Sequence, residues 1–221
     1  MNISRRLNTE WRNRGTAGFV RFIALRVAQR RADVLFEYDL TQLKADDESK
    51  SDAIVVVDRH NFGSAATAAV EQEILIGGNH PYVEELQGEG QLLAATGPHG
   101  GVTSYAFVVF ESFYKKILGE SSATPIISNC LTFPAYRGQG LYPLVLRASL
   151  QHLAAQGFSR AIITCAPDNI ASVRGIEKAG FRRVKTIHSL IIFARWIATQ
   201  RTLSNATPTD GASVTRANSR D

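Results

Sequence analysis

Cysteine is scarce: Cys130 and Cys165 are the only two in 221 residues, and each sits inside an apolar run. A disulfide framework is therefore excluded and a reducing compartment is expected. Neither cysteine has neighbours at metal-ligand spacing, so no metal is expected. Long hydrophobic runs are missing as well. No apolar stretch approaches the roughly 18 residues of a membrane span, and Met1-Asn2-Ile3-Ser4-Arg5-Arg6 is not followed by the apolar core of a secretory signal. The expectation is a cytoplasmic protein without a transmembrane segment. The chain also lacks internal repeats, the Gly-Lys-Ser/Thr ending of a P-loop and the third glycine of a dinucleotide fingerprint. ATP hydrolysis and hydride transfer are therefore disfavoured.

What is present is enough apolar material for one good core, since 44% of the residues are hydrophobic, and the spacing of elements shows no second core. Charge is uneven. Residues 1 to 31 hold eight arginines (Arg5, Arg6, Arg12, Arg14, Arg21, Arg26, Arg30 and Arg31) against Glu10, seven positive charges net, while the whole chain carries +5. The remainder is slightly acidic. Such an arm can touch nucleic acid or anionic lipid, but Phe19, Ile23 and Val27 share a helical face with Arg26 and Arg30, which is no clean amphipathic anchor. Residues 1–32 read as a solvated, partly helical basic arm. No DNA partner is expected, and at most weak peripheral contact with a membrane. Residues 33–198 read as the folded domain, and 199–221, rich in Ser, Thr, Asn and Ala, as a disordered tail.

The chemistry concentrates in Phe133-Pro134-Ala135-Tyr136-Arg137-Gly138-Gln139-Gly140-Leu141-Tyr142-Pro143. Before it, Ile126 to Phe133 is apolar and rich in β-branched and aromatic residues, which predicts a strand stopped by Pro134. Pro143 suits the first turn of a helix, and Leu144, Val145, Ala148 and Leu153 then alternate with a polar stripe through Arg147 and Gln151, so a helix starts near Leu141. Gly138 and Gly140 permit backbone angles that turn successive N–H groups into one concavity beside that helix start, with Arg137 adding a cation. The combination suits a phosphate or pyrophosphate. Downstream, Gly157 ends the helix, Arg160 to Cys165 is a buried strand, Asp168 or Asn169 caps a short helix ending at Gly180, and Val184 to Trp196 reads as a closing strand.

The order strand, Pro-Xaa-Tyr-Arg-Gly-Xaa-Gly, helix, strand, Asn, helix, Glu-Lys-Xaa-Gly-Phe resembles the GNAT superfamily of acyl-CoA-dependent N-acyltransferases, over about residues 90–193. The resemblance implies an α/β (α+β) fold: a mixed, strongly twisted sheet flanked by helices and splayed between two parallel strands, with acyl-CoA in the opening. It places the CoA pyrophosphate on backbone N–H groups of Arg137, Gly138, Gln139, Gly140 and Leu141. It gives the pantetheine arm to main-chain groups of Leu131 and Phe133, and it puts Asn169 and Ser172 at the mouth of the second strand. Acetyl-CoA or another acyl-CoA is then the co-substrate, a primary amine of a small molecule is the acceptor, and the wording of the motifs is most like bacterial members acting on small metabolites or amino sugars.

Two departures bear on mechanism. Many relatives carry a tyrosine seven residues after the asparagine, and that position here is Ile176. Ala135 also replaces a glutamine or arginine at the start of the pyrophosphate motif. Direct attack by an amine in a ternary complex stays reasonable, because a thiol of pKa about 8.5 is a fair leaving group, and orientation can supply much of the rate. Candidate proton carriers are Glu111 after the run Tyr105 to Phe110, His188 within the last strand, and Tyr142 at the helix start. Glu37, Tyr38 and His80 are polar residues available to an acceptor. Ile176 also leaves open a catalytically silent acyl-CoA-binding module, and the basic arm a docking role; monomer and homodimer are equally compatible.

Overall fold

The computed structural model describes residues 28–43, 54–75, 81–192 and 195–203. Eight strands form a single sheet: β1 Ala28–Asp39, β2 Ile54–Val57, β3 Gln91–Thr96, β4 Val102–Val109, β5 Ile126–Thr132, β6 Arg160–Cys165, β7 Arg182–Ile192 and β8 Arg195–Leu203, in the order β2-β3-β4-β5-β6-β1-β7-β8. Five helices accompany them: α1 Ala68–Leu75, α2 Pro81–Gln87, α3 Phe113–Leu118, α4 Leu141–Ala155 and α5 Ile170–Lys178. All pairings are antiparallel except that of β5 with β6. The mixed, helix-flanked sheet anticipated from the motifs is therefore the observed one.

Burial explains why β4 shows no polar alternation. All eight of its residues are buried, because α4 covers one face of the sheet and α1 with α2 the other. On the first face Val145, Leu146, Leu150 and Leu153 of α4 pack on Leu93, Ala106, Val108, Ile127, Ala161 and Ile163. On the second, Val70, Ile74 and Leu86 pack on Val57, Leu92, Ala94, Tyr105 and Phe107. Helix α1 buries Val70 and Ile74 against the sheet.

The chain's first described strand does not sit at an edge. It lies between β6 and β7, pairing Val34 with Cys165 on one side and with Thr186 on the other, and Leu35 and Phe36 are fully buried on opposite faces. It starts at Ala28, so the arm expected through residue 32 gives up its last five residues to the sheet. At the other end, the closing strand read from Val184 to Trp196 is two antiparallel strands, and residues 199–203 belong to β8 rather than to a disordered tail. Their polar composition fits an edge strand, which needs hydrogen-bond partners on one side only. The basic segment before Ala28, the acidic loop 44–52, His80 and the chain after Leu203 lie outside the described residues.

Ion pairs tie these distant segments together. Glu37 of β1 pairs with Arg160 at 2.6 Å and with Arg182, while Glu120, after α3, pairs with Arg160 at 2.8 Å and Lys185 at 2.6 Å. Both Glu37 oxygens are thereby engaged by arginines. Tyr38 is likewise held, edge-on against Phe181. Burial raises the tendency of the Glu120 carboxyl to hold a proton, but hydrogen bonds from Lys185 and Arg160 overcome it and leave the pKa below its usual value. A depressed carboxylate stabilises the fold above its unfolded pKa of about 4.3, and that stabilisation is lost as pH falls through the folded value. Glu120→Gln is expected to cost about 2 kcal/mol in denaturant melts at pH 7, with the gap to the wild type closing at acid pH; a constant gap at all pH would contradict the assignment.

Candidate functional site

Strands β5 and β6 are neighbours only at their start. The parallel pairing consists of Ile126 with Ile162 and Ile127 with Ile163, after which the strands part. The cause is local. Between the pairs Phe107–Ser128 and Tyr105–Leu131, β5 carries one residue more than β4, a β-bulge that bends the strand, and Asn129 absorbs it in the left-handed region at φ 43°. Asparagine tolerates that conformation better than most residues with a side chain.

At the end of β5 a 3-10 turn, Pro134–Tyr136, leads into the glycine loop and α4. Gly138 and Gly140 have φ of 79° and 78°, angles that an L side chain takes at a cost of about 1–2 kcal/mol. A Cβ at either position would meet no atom within 4 Å, so conformation and approach from outside, not crowding within the protein, call for glycine. Gly140 caps α4 without any side-chain hydrogen bond. Among the described residues, no backbone carbonyl receives the N–H groups of Gly138, Gln139, Gly140, Leu141 or Tyr142. Five N–H groups without a backbone acceptor and the positive end of a 15-residue helix thus lie together in one short segment, which suits an anion.

That segment borders a cavity of about 560 Å³. Cys130, Leu131 and Thr132 of β5, the loop residues Tyr136, Arg137, Gly138 and Gly140, Leu141 to Pro143, and Asn169, Ser172 and Gly175 at the opposite helix line it. The loop residues Arg137, Gly138 and Gly140 thus meet Asn169 and Ser172 in one place, as the motifs imply, while Gln139 is not among the lining residues. Asn169 also caps α5, its Oδ1 accepting from the Ser172 N–H at 3.2 Å.

The main-chain expectation on β5 shifts by one residue. The Phe133 N–H donates to Thr103 O at 3.0 Å and the Leu131 carbonyl accepts from the Ser104 hydroxyl at 2.9 Å. Both residues are thus turned toward β4, and the alternation of strand polar groups turns those of Cys130 and Thr132 into the gap. Arg137 reaches back to the Thr132 carbonyl at 3.3 Å.

Tyr142 is the one expected proton carrier in this cavity. Its ring lies flat against Gly175 of α5, where a Cβ would come within 2.3 Å of Tyr142 Cδ1. Its hydroxyl meets the side chains of Ser172 and Cys130, and burial pushes its pKa far above the usual phenol value. Burial likewise pushes the Cys130 thiol up to about 12 and the Cys165 thiol up to about 11, so both stay protonated at neutral pH. Ile176 is fully buried in the core and leaves no vacancy for a polar group. Glu111 and His188 correct the sequence reading. Glu111 stands exposed past the end of β4, and His188 is exposed in β7 between Ala32 and Gln200; neither lines a cavity described here.

A second cavity, of about 490 Å³, lies across β5 and is bordered by Ile126, Ser128 and Asn129 of β5 together with Thr164 of β6. Helix α2 contributes Tyr82 and Glu85 to it. The sequence reading missed both. Two carboxylates and a tyrosine in a short polar helix resemble any solvated surface turn, and only the tertiary fold sets Tyr82 and Glu85 opposite the bulge.

Residues 104–182 match the family model of the acetyltransferase (GNAT) domain. Among solved structures, a tandem GNAT protein from the clavulanic acid biosynthesis pathway, without acetyl-CoA, is similar at TM-score 0.53 and 14% identity over 85% of this chain and 58% of that one. A GNAT-family acetyltransferase from Colwellia psychrerythraea gives 0.49 at 17% identity over 78% and 60%, and a GCN5-related N-acetyltransferase from Sphaerobacter thermophilus 0.46 at 14% over 79% and 55%. The chain spans less than two thirds of the length of each. No curated protein matches. The fold is that of the GNAT acetyltransferases, and the residues that match the family model hold both motifs, the bulge and the splayed strands.

Proposed function

We propose that the chain is an acyl-CoA-dependent N-acetyltransferase that passes the acetyl group directly to a primary amine of a small molecule. The observation that carries this reading is the set of unclaimed N–H groups from Gly138 to Tyr142 at the mouth of the β5/β6 gap. A diphosphate at that mouth leaves the pantetheine arm to run along the exposed edge of β5, where Cys130 and Thr132 offer main-chain groups. The thioester then arrives at the bulge, between the two cavities.

Protonated thiols at Cys130 and Cys165 argue for attack by the amine itself rather than through an acyl-cysteine, because the thiolate is the nucleophilic form. Tyr142 is in position to act at the departing sulfur. With a pKa raised so far, it donates a hydrogen bond to the thiolate without giving up its proton. Tyr142→Phe is expected to lower kcat about tenfold while acetyl-CoA affinity changes less than threefold, read by thiol release and calorimetry. Gly175→Ala is expected to mimic it, because the new methyl displaces the ring. Acetyl-CoA titration followed by thiol release over amino sugars, amino acids and polyamines tests the proposal as a whole; binding without release for every amine would favour a silent binder.

A further inference from the structure

The two cavities share β5: Cys130, Leu131 and Thr132 border the first, and Ile126, Ser128 and Asn129 border the second, together with Thr164 of β6. The position of the second fits the partner of the thioester, and its lining says which chemistry. Glu85 is the one carboxylate among the lining residues. It is half-buried, and among the described residues no hydrogen bond or ion pair engages its carboxylate. Nearby acids are not so placed. Asp33, behind the cavity, is bound by Arg31 at 2.6 Å, and Glu84 and Glu111 are exposed. Around Glu85 stand hydroxyl and amide groups, Tyr82 on the same helix, Ser128 and Asn129 at the bulge, Ser112, Tyr114 and Thr164, and the one cation of the lining, Arg31, is paired with Asp33. Burial, followed by the charges of Glu84 and Glu111, raises the Glu85 pKa above the usual carboxylate value, which brings a base nearer to neutrality.

We infer that this cavity takes a hydroxylated primary amine and that Glu85 both holds its ammonium and removes its proton. The inference rests on the acetyltransferase reading. The acceptor R–NH3+ gives one proton to the Glu85 carboxylate, which later releases it to solvent. The freed lone pair attacks the thioester carbonyl, a C–N bond forms, and the C–S bond breaks. The second nitrogen proton ends on the CoA thiolate, so the products are the amide, free CoA and one proton. Hydroxyls on the acceptor meet Ser128, Asn129 and Thr164. The volume lies within the range of about 300–1,000 Å³ usual for small-molecule sites.

Glucosamine, and cyclohexylamine as a ring of like size without hydroxyls, are the probes. Wild type is expected to prefer glucosamine at least tenfold in kcat/KM. Glu85→Gln is expected to bind acetyl-CoA within twofold of wild type, to bind glucosamine at least tenfold more weakly in the presence of CoA, and to lose at least fiftyfold in kcat/KM at pH 7. Its residual rate should climb with pH toward the amine's own pKa, whereas wild type, with Glu84, Glu111, Asp33 and Arg31 unchanged around the site, levels off sooner. Glu85→Asp should recover part of the loss. An unaltered rate and pH profile in Glu85→Gln would overturn the role of Glu85. Preference for cyclohexylamine, or no turnover of glucosamine by a protein that binds acetyl-CoA, would overturn the acceptor class. Absence of acetyl-CoA binding by wild type would instead overturn the reading beneath it.

Discussion

Gly138→Glu is expected to weaken acetyl-CoA binding by at least a hundredfold in calorimetry, with the far-UV spectrum unchanged. Two effects add. A residue with a side chain must hold φ near 79°, which costs about 1–2 kcal/mol, and its carboxylate would stand beside the bound diphosphate. A pair of like charges 4 Å apart near a protein surface repels by about 4 kcal/mol, so charge outweighs conformation. Gly138→Ala separates them, since it bears the backbone cost without the charge and a Cβ there meets nothing within 4 Å. It should lose less than about tenfold. Equal losses for the two variants would mean that loop conformation alone matters and that no anion sits there.

Lys115→Met is expected to lower stability by about 3 kcal/mol, which for a domain of this size is a fall of about 10 °C in Tm. The lysine is 2% exposed, and its ammonium donates to three carbonyls, those of Phe110, Ser122 at 2.5 Å and Thr124 at 2.8 Å. Each buried acceptor left without a donor costs about 1–3 kcal/mol, and release from burying the charge, which lowers the lysine's pKa, offsets part of the total. Methionine fills the same space, so loss of packing is not the cause. The three carbonyls join the end of β4 to the turn that delivers Pro125 and Ile126 to β5, hence the lysine also fixes where the parallel pairing begins. A fall under about 1 kcal/mol in denaturant melts would contradict this account.

The parts of the fold that could be read from the sequence are those whose causes are local. Pro134, the two glycines and Pro143 each act on their own backbone, and so the loop and the start of α4 at Leu141 were legible. The same holds for Asn169 as a helix cap, which needs only its own side chain and the N–H three residues on. The position of β1 was not legible, because nothing in Val34-Leu35-Phe36 says that its two neighbours will be strands more than 120 residues later. β8 was misread for the opposite reason: its residues are polar enough for a tail, and only pairing with β7 makes them a strand. Of the residues that line the two cavities, Tyr142 was legible because it belongs to the helix start, whereas Glu85 was not. Its helix is seven residues long and reaches the bulge through packing between α2, β4 and β5. Glu111 drew notice by following an apolar run, yet the strand ends at Val109 and leaves it in solvent.

The central claim is that unpaired amide hydrogens on the Gly138 to Tyr142 segment hold a coenzyme diphosphate where β5 leaves β6. Crystals grown with acetyl-CoA test it most directly. The account predicts phosphate oxygens within hydrogen-bonding distance of those amides and the thioester beside Asn129 and Tyr142; density for the diphosphate anywhere else on the protein would contradict it.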